Sequence, residues 1–356
     1  DFGALTTDGL SGLTSTQVAA INTTQISSLK AKQIKAIETR DMAGLGSDQI
    51  IALTTAQVSA FTTGQITALN SDQIAAIAVD DLAAMTTAQV ASLTSLQIPG
   101  LTTDQIQALK PSQIASMSTK AIAALDSDQI GALSSTQLMA LKDAQIVALS
   151  SDQLNNLSTD QIASLTTHQI SVIETADIAA LDTSLIAGMS SSQVASLTTA
   201  QIRALGTDQI AAIETGADVA ALTTTQVMAM TTAQVAALTT DQVSELKTNV
   251  ITNLSTAQLV ALDTDRIAAL TTTQLRAVTT DQIVAMTSDQ VAALTSDQVA
   301  SLNNKQLVAL QTQDLVALAS DRIQSLTASQ IQNLTTDQIA ALTTDQIVAI
   351  ETKDVA

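Results

Sequence analysis

One eight-residue phrase, close to Leu-Thr-Thr-Asp-Gln-Ile-Ala-Ala, is repeated from Leu5 to the end of the chain. There are 43 complete octads and a final partial one, interrupted by a single inserted residue near Gly216. A short unbroken period means one structural unit stacked many times, so the fold has to be quasi-one-dimensional. It predicts a single continuous solenoid over residues 1–356, although a globular chain of this length would ordinarily divide into domains. It also leaves no position distinctive enough to mark an active site.

With the positions lettered a to h, so that Leu101 is a and Ala108 is h, positions a and f are apolar in all 44 registers. Position b is usually Thr or Ser, e is Gln in 32 of 44 registers, d is Asp in 17, and h is nearly always Ala, Ser or Gly. Thr-Thr-Asp-Gln is the Ser/Thr-x-x-Glu/Gln signature of a helix start. The b hydroxyl accepts the backbone N–H of e, and the e side chain reaches back to the N–H of b. Asp at d then lies in the first turn, where the helix dipole favours an anion. Pro111 falls at c, the first helical position, where proline is best tolerated.

At 100° per residue, e, f and the following a share one face, while c, d and g point away. Each octad therefore reads as a helix of under two turns, ended by the next Thr cap, and the fold class as an all-α solenoid with one very short helix per octad. The alternative is a β-solenoid. It suffers from the five-residue step between a and f, which puts them on opposite faces of an extended strand. One continuous helix would smear its apolar stripe around the rod. Helices this short do not persist alone in water, so stacking must stabilise them and fragments of two or three octads should be unfolded. Gln at e sits beside buried a and f, so its amide needs partners; the expectation is a column of Gln side chains bonded to backbone.

Departures from the phrase carry some order. Asp replaces Gln at Asp41, Asp81, Asp177, Asp218, Asp314 and Asp354, with forty-residue spacings between the first pair and the last. Duplication of a five-octad block accounts for this. A second possibility is that five octads make one superhelical turn, aligning the variants along an edge. Gly216 lengthens its register by one residue and predicts a local bulge. Pro99-Gly100, at g and h, predicts a kink or an early helix stop. Neither reads as a domain boundary.

No residue qualifies as catalytic, cofactor-binding or metal-ligating, and no cofactor is expected. There is no Cys, and the single histidine, His168, occupies the exposed d position, where it reads as incidental. The d-position Asp residues bring one carboxylate per octad without the Gly turn that calcium loops use, and read as solubilising charge. Nucleophile–base pairs and Gly-rich phosphate loops are missing, so the chain is not expected to be an enzyme. Fourteen basic against 33 acidic residues give a net charge of −19, which disfavours nucleic acid as a partner. No apolar run is long enough to span a membrane. The opening Asp1-Phe2-Gly3-Ala4 carries neither Met nor a signal-peptide pattern, so a processed chain or a stretch of a longer one is expected.

The run Leu334 to Ala356, LTTDQIAALTTDQIVAIETKDVA, resembles the repeat tracts of very large bacterial surface or secreted, adhesin-like proteins. That resemblance implies export to an extracellular or cell-surface location, a filament or stalk, and no catalysis. The leading functional expectation is thus a structural rod, filament, stalk or surface layer whose partner is itself, end to end or laterally. The alternative is a recognition module that binds glycans, ice or a host cell surface through its Thr/Asp face.

Overall fold

In the computed structural model, which describes residues 2–350, the chain is helical throughout. It contains 41 α-helices and three 3-10 helices, and no strand among the described residues. The α-helices are four to six residues long, one per octad, as in Thr103–Ala108 and Thr280–Ala285. The fold is an all-α repeat solenoid, and the β-solenoid alternative is set aside. The residues fall into two compact units, divided between Leu181 and Asp182, each a coil of stacked octads.

Each helix starts as its sequence requires. In the octad of Leu101, Thr102 is the N-cap with extended backbone. The Gln105 backbone N–H donates to Thr102 Oγ1 at 3.2 Å, and the Thr102 N–H donates to Gln105 Oε1 at 2.8 Å. Where b is Lys or Gly only the second bond survives: Lys110 N–H reaches Gln113 Oε1 at 2.6 Å, and Gly206 N–H reaches Gln209 Oε1 at 2.8 Å. Pro111 stands at the first helical position of Pro111–Ile114. The helix ends when the next a residue turns extended, as Leu109 does at φ −64°, ψ 138°, its N–H donating to Ile106 O. Two successive extended residues, a and b, then reset the chain for the next cap.

The a and f side chains form the core of each coil. From Leu10 to Ile323 no f side chain is more than 1% exposed, and from Ile21 to Leu326 no a side chain exceeds 5%. That burial comes from the following turn. Ile339 and Ile347, with no described residue a turn later, are 40% and 46% exposed. Close approach of the neighbouring turn demands glycine at h in two of the 3-10 registers. A Cβ on Gly100 would stand 2.2 Å from Ser71 O, and one on Gly44 would stand 2.4 Å from Ser15 O.

Contacts between successive turns fix the winding. Side-chain hydrogen bonds join residues 25, 28 and 31 apart, as in Thr67–Ser92, Gln105–Ile77 and Gln105–Ile74. One turn thus takes about 28 residues, three and a half octads. Five octads do not make a turn, so the forty-residue recurrence of Asp41 and Asp81 is not a superhelical edge. The two register faults behave locally. Gly216 is the only residue at positive φ among those described, 87°, and forms a bulge before Ala217–Ala221. At Pro99 the α-helix gives way to a 3-10 turn, Ile98–Gly100, yet Gln97 still reaches Ile66 O and Leu69 O, both at 2.7 Å.

The inter-turn hydrogen bonds of Thr67, Gln105 and Gln242 join residues 25 to 32 apart. A synthetic three-octad peptide, 24 residues, contains no such pair and should give a coil spectrum by circular dichroism, whereas the full chain should be helical. A cooperatively melting three-octad helix would contradict the stacking account.

Candidate functional site

The most organised polar feature is the column of Gln side chains at e. Gln105 is typical and 1% exposed. Its Oε1 closes its own capping box, and its Nε2 donates to Ile77 O at 2.7 Å and Ile74 O at 3.1 Å one turn earlier. These carbonyls belong to f and the next a, at the C-terminal end of a helix in the preceding turn, where backbone acceptors lack helical partners. One amide thus completes the start of its own helix and the end of another. The pattern recurs at Gln65, Gln137, Gln242, Gln282 and Gln338. This is the expected Gln column, bonded to backbone.

Substitutions at e show what the position tolerates. Arg266 and Arg322 donate from Nε to Leu238 O and Leu294 O, so a guanidinium can stand in for the amide. Ala121, Leu185 and Val250 are simply buried. The aspartates turn elsewhere. Asp81 Oδ1 accepts from Thr55 Oγ1 at 2.5 Å, Asp218 Oδ1 from Ser191 Oγ at 2.5 Å, and Asp314 Oδ1 from Ser288 Oγ at 2.6 Å. Each partner is the c hydroxyl one turn back. Asp354 lies outside the described residues. At Asp177, burial first and the neighbouring Glu174 second hold the carboxyl above its usual range, against a lowering backbone hydrogen bond from Ser151.

The outer face carries c, d and g. Asp104, Asp128, Asp241 and Asp281 are exposed there. His168 is exposed too, and its Nε2 lies 3.0 Å from Asp143 Oδ2, a residue 25 positions earlier. Sequence reading placed His168 on the surface but not beside Asp143, because that pairing depends on the winding. Among the described residues no three His, Cys, Asp or Glu side chains cluster as a metal site would need. One surface depression of about 590 Å3 is lined by Phe2, Asn22, Thr23, Thr24, Gln25 and Ser28, none of them titratable. No described helix is long and apolar enough to cross a membrane.

Nine segments of the chain match the ALTTAQ repeat: residues 34–71, 74–111, 111–143, 135–167, 170–207, 210–248, 244–272, 267–304 and 307–344. The chain belongs to the ALTTAQ repeat family. Pairs of matches begin forty residues apart, at 34 and 74, 170 and 210, and 267 and 307. That spacing agrees with duplication of a five-octad block. No curated protein matches the chain.

Two predictions follow the geometry of e. Gln242→Leu removes bonds to Thr239 N, Ile210 O and Ile213 O from a side chain that is 0% exposed. It should cost about 1–3 kcal/mol. Asp241→Ala, at an exposed first-turn charge, should cost under about 1 kcal/mol. Urea denaturation of the full chain, followed by circular dichroism, orders the two; a larger loss from Asp241→Ala would mean that the helix phase is wrong. The second concerns Asp177. A raised folded-state pKa favours the protonated form, so its contribution is complete below the unfolded-state pKa and is lost as pH rises through the folded-state value. Asp177→Asn should therefore raise the melting temperature at neutral pH and leave it unchanged in acid. An equal change at both pH values would break the link to ionisation.

Proposed function

We propose that this chain is a non-enzymatic structural repeat protein, a rod that builds an extracellular filament, stalk or surface layer by associating with itself. The observation that carries the reading is the sameness of the Gln bonding from turn to turn. A turn offers Gln amides on one side and f and a carbonyls, with their apolar side chains, on the other. Any such turn fits any other, and heterologous contacts of this kind extend without closing. The acidic balance, a net charge of −19, favours solubility and keeps outer faces apart at low salt, which makes end-to-end growth the favoured route. The resemblance of Leu334 to Ala356 to adhesin-like repeat tracts supports placing the rod outside the cell.

Negative-stain electron microscopy of the purified chain over a range of concentrations tests this. Rods or fibres that lengthen with concentration are expected. Compact particles of one size at every concentration would overturn self-assembly.

A further inference from the structure

The a and f carbonyls at the end of a helix form a slot that the chain fills, outside the apolar and aspartate registers, with positive or partly positive groups. In most registers the filler is the two-hydrogen amide of Gln, as with Gln306 Nε2 on Leu275 O at 2.8 Å and Val278 O at 2.7 Å. In two registers it is a guanidinium, from Arg266 on Leu238 O and Arg322 on Leu294 O. The slot therefore accepts a full positive charge within this same fold.

Asp314 breaks the rule. It occupies e, where Gln306 does one octad earlier, and is only 1% exposed. Ser288 Oγ donates to its Oδ1 at 2.6 Å, but Oδ2 is buried with no hydrogen-bond partner. The corresponding slot carbonyls, by the 28- and 31-residue rule, are those of Met286 and Ile283. The Gln311 amide takes the neighbouring Val284 O at 3.0 Å and leaves those two without a side-chain donor. A carboxylate beside carbonyl oxygens is electrostatically unfavourable, since the carbonyls offer it no donor and only the Ser288 hydroxyl does. Asp41 shows one remedy. Its Oδ2 likewise has no hydrogen bond, but Arg40 Nε approaches it to 3.5 Å. Among the described residues, Asp314 has no such ion-pair partner.

We propose that the Asp314 register binds an alkali-metal cation, Na+ or K+, held by the Asp314 carboxylate, the Ser288 hydroxyl and the carbonyl oxygens of Ile283 and Met286. Aspartate is one methylene shorter than glutamine, so the space that a Gln amide nitrogen fills is left for an ion of similar reach. All the donors are hard oxygens, which suits s-block cations and not zinc or copper. The charge selects a monovalent ion: one carboxylate balances one positive charge, whereas calcium sites usually gather several carboxylates.

The test is urea denaturation of the full chain in NaCl, KCl, CaCl2 or choline chloride at equal ionic strength, at neutral and at acidic pH, for wild type and for Asp314→Gln. The variant restores the residue most registers carry at e and should fold. Na+ or K+ at ten times its dissociation constant should shift the wild-type folding equilibrium about tenfold over choline, and Asp314→Gln should show no such shift. An equal shift in the variant would overturn the proposal, because the cation would then act elsewhere. So would a response to CaCl2 alone, or a wild type stabilised by acid to the same degree in choline and in NaCl, which would assign the slot to a proton.

Discussion

The glutamine amide at e has to satisfy two helix ends at once, and the rest of the architecture depends on its doing so. A helix of four to six residues leaves most of its backbone polar groups without helical partners. In isolation such a segment does not form. The e side chain meets this deficit with one acceptor oxygen turned to its own N-cap and one amide nitrogen turned to carbonyls a turn away. Asparagine would be too short to span both, and glutamate would have no donor for the carbonyls. The aspartate registers show the consequence of losing the donor: Asp81 and Asp314 give the slot carbonyls no hydrogen bond, and one carboxylate oxygen of each accepts from a hydroxyl at c.

The winding number follows from the same bond. Gln105 reaches Ile74, an f residue four octads earlier, and Ile77, an a residue three octads earlier. It therefore stands over the junction between two helices of the turn below. A turn of three or of four whole octads would place helix start above helix start, and the amide would face N–H groups instead of carbonyls. Half-integral winding staggers the turns, as bricks are staggered, so that each start covers an end. The five-octad block seen in the repeats has no counterpart in this geometry.

Local features of the fold were legible from the residues because their causes are local. The Thr102–Gln105 capping box, Pro111 at the first helical position, the apolar face of a and f and the bulge at Gly216 each depend on fewer than ten neighbouring residues. The need of a buried Gln for backbone partners was legible too, from the cost of leaving an amide dry. What could not be read was which turn supplies the partner. The pairing of His168 with Asp143, of Asp314 with Ser288, and of Gln105 with Ile77 all require the number of residues per turn. That number is set by how helices of this length pack, and no single octad encodes it. Five octads per turn was a reasonable inference from spacing, but the spacing records how the sequence was copied.

This division of labour between positions bears on function. Positions a, e and f carry the fold, and b carries the cap. Positions d and g face outward and tolerate Asp, Lys, His, Thr, Val and Met across registers. The exposed Met228 and Val284 at g, for instance, sit on helices as well formed as those bearing Ala there. Surface chemistry can therefore change register by register without disturbing the core, which suits a scaffold whose outer face adapts to its surroundings. The buried e position has no such freedom, so a charge placed there has to be matched from within the stack or from solution.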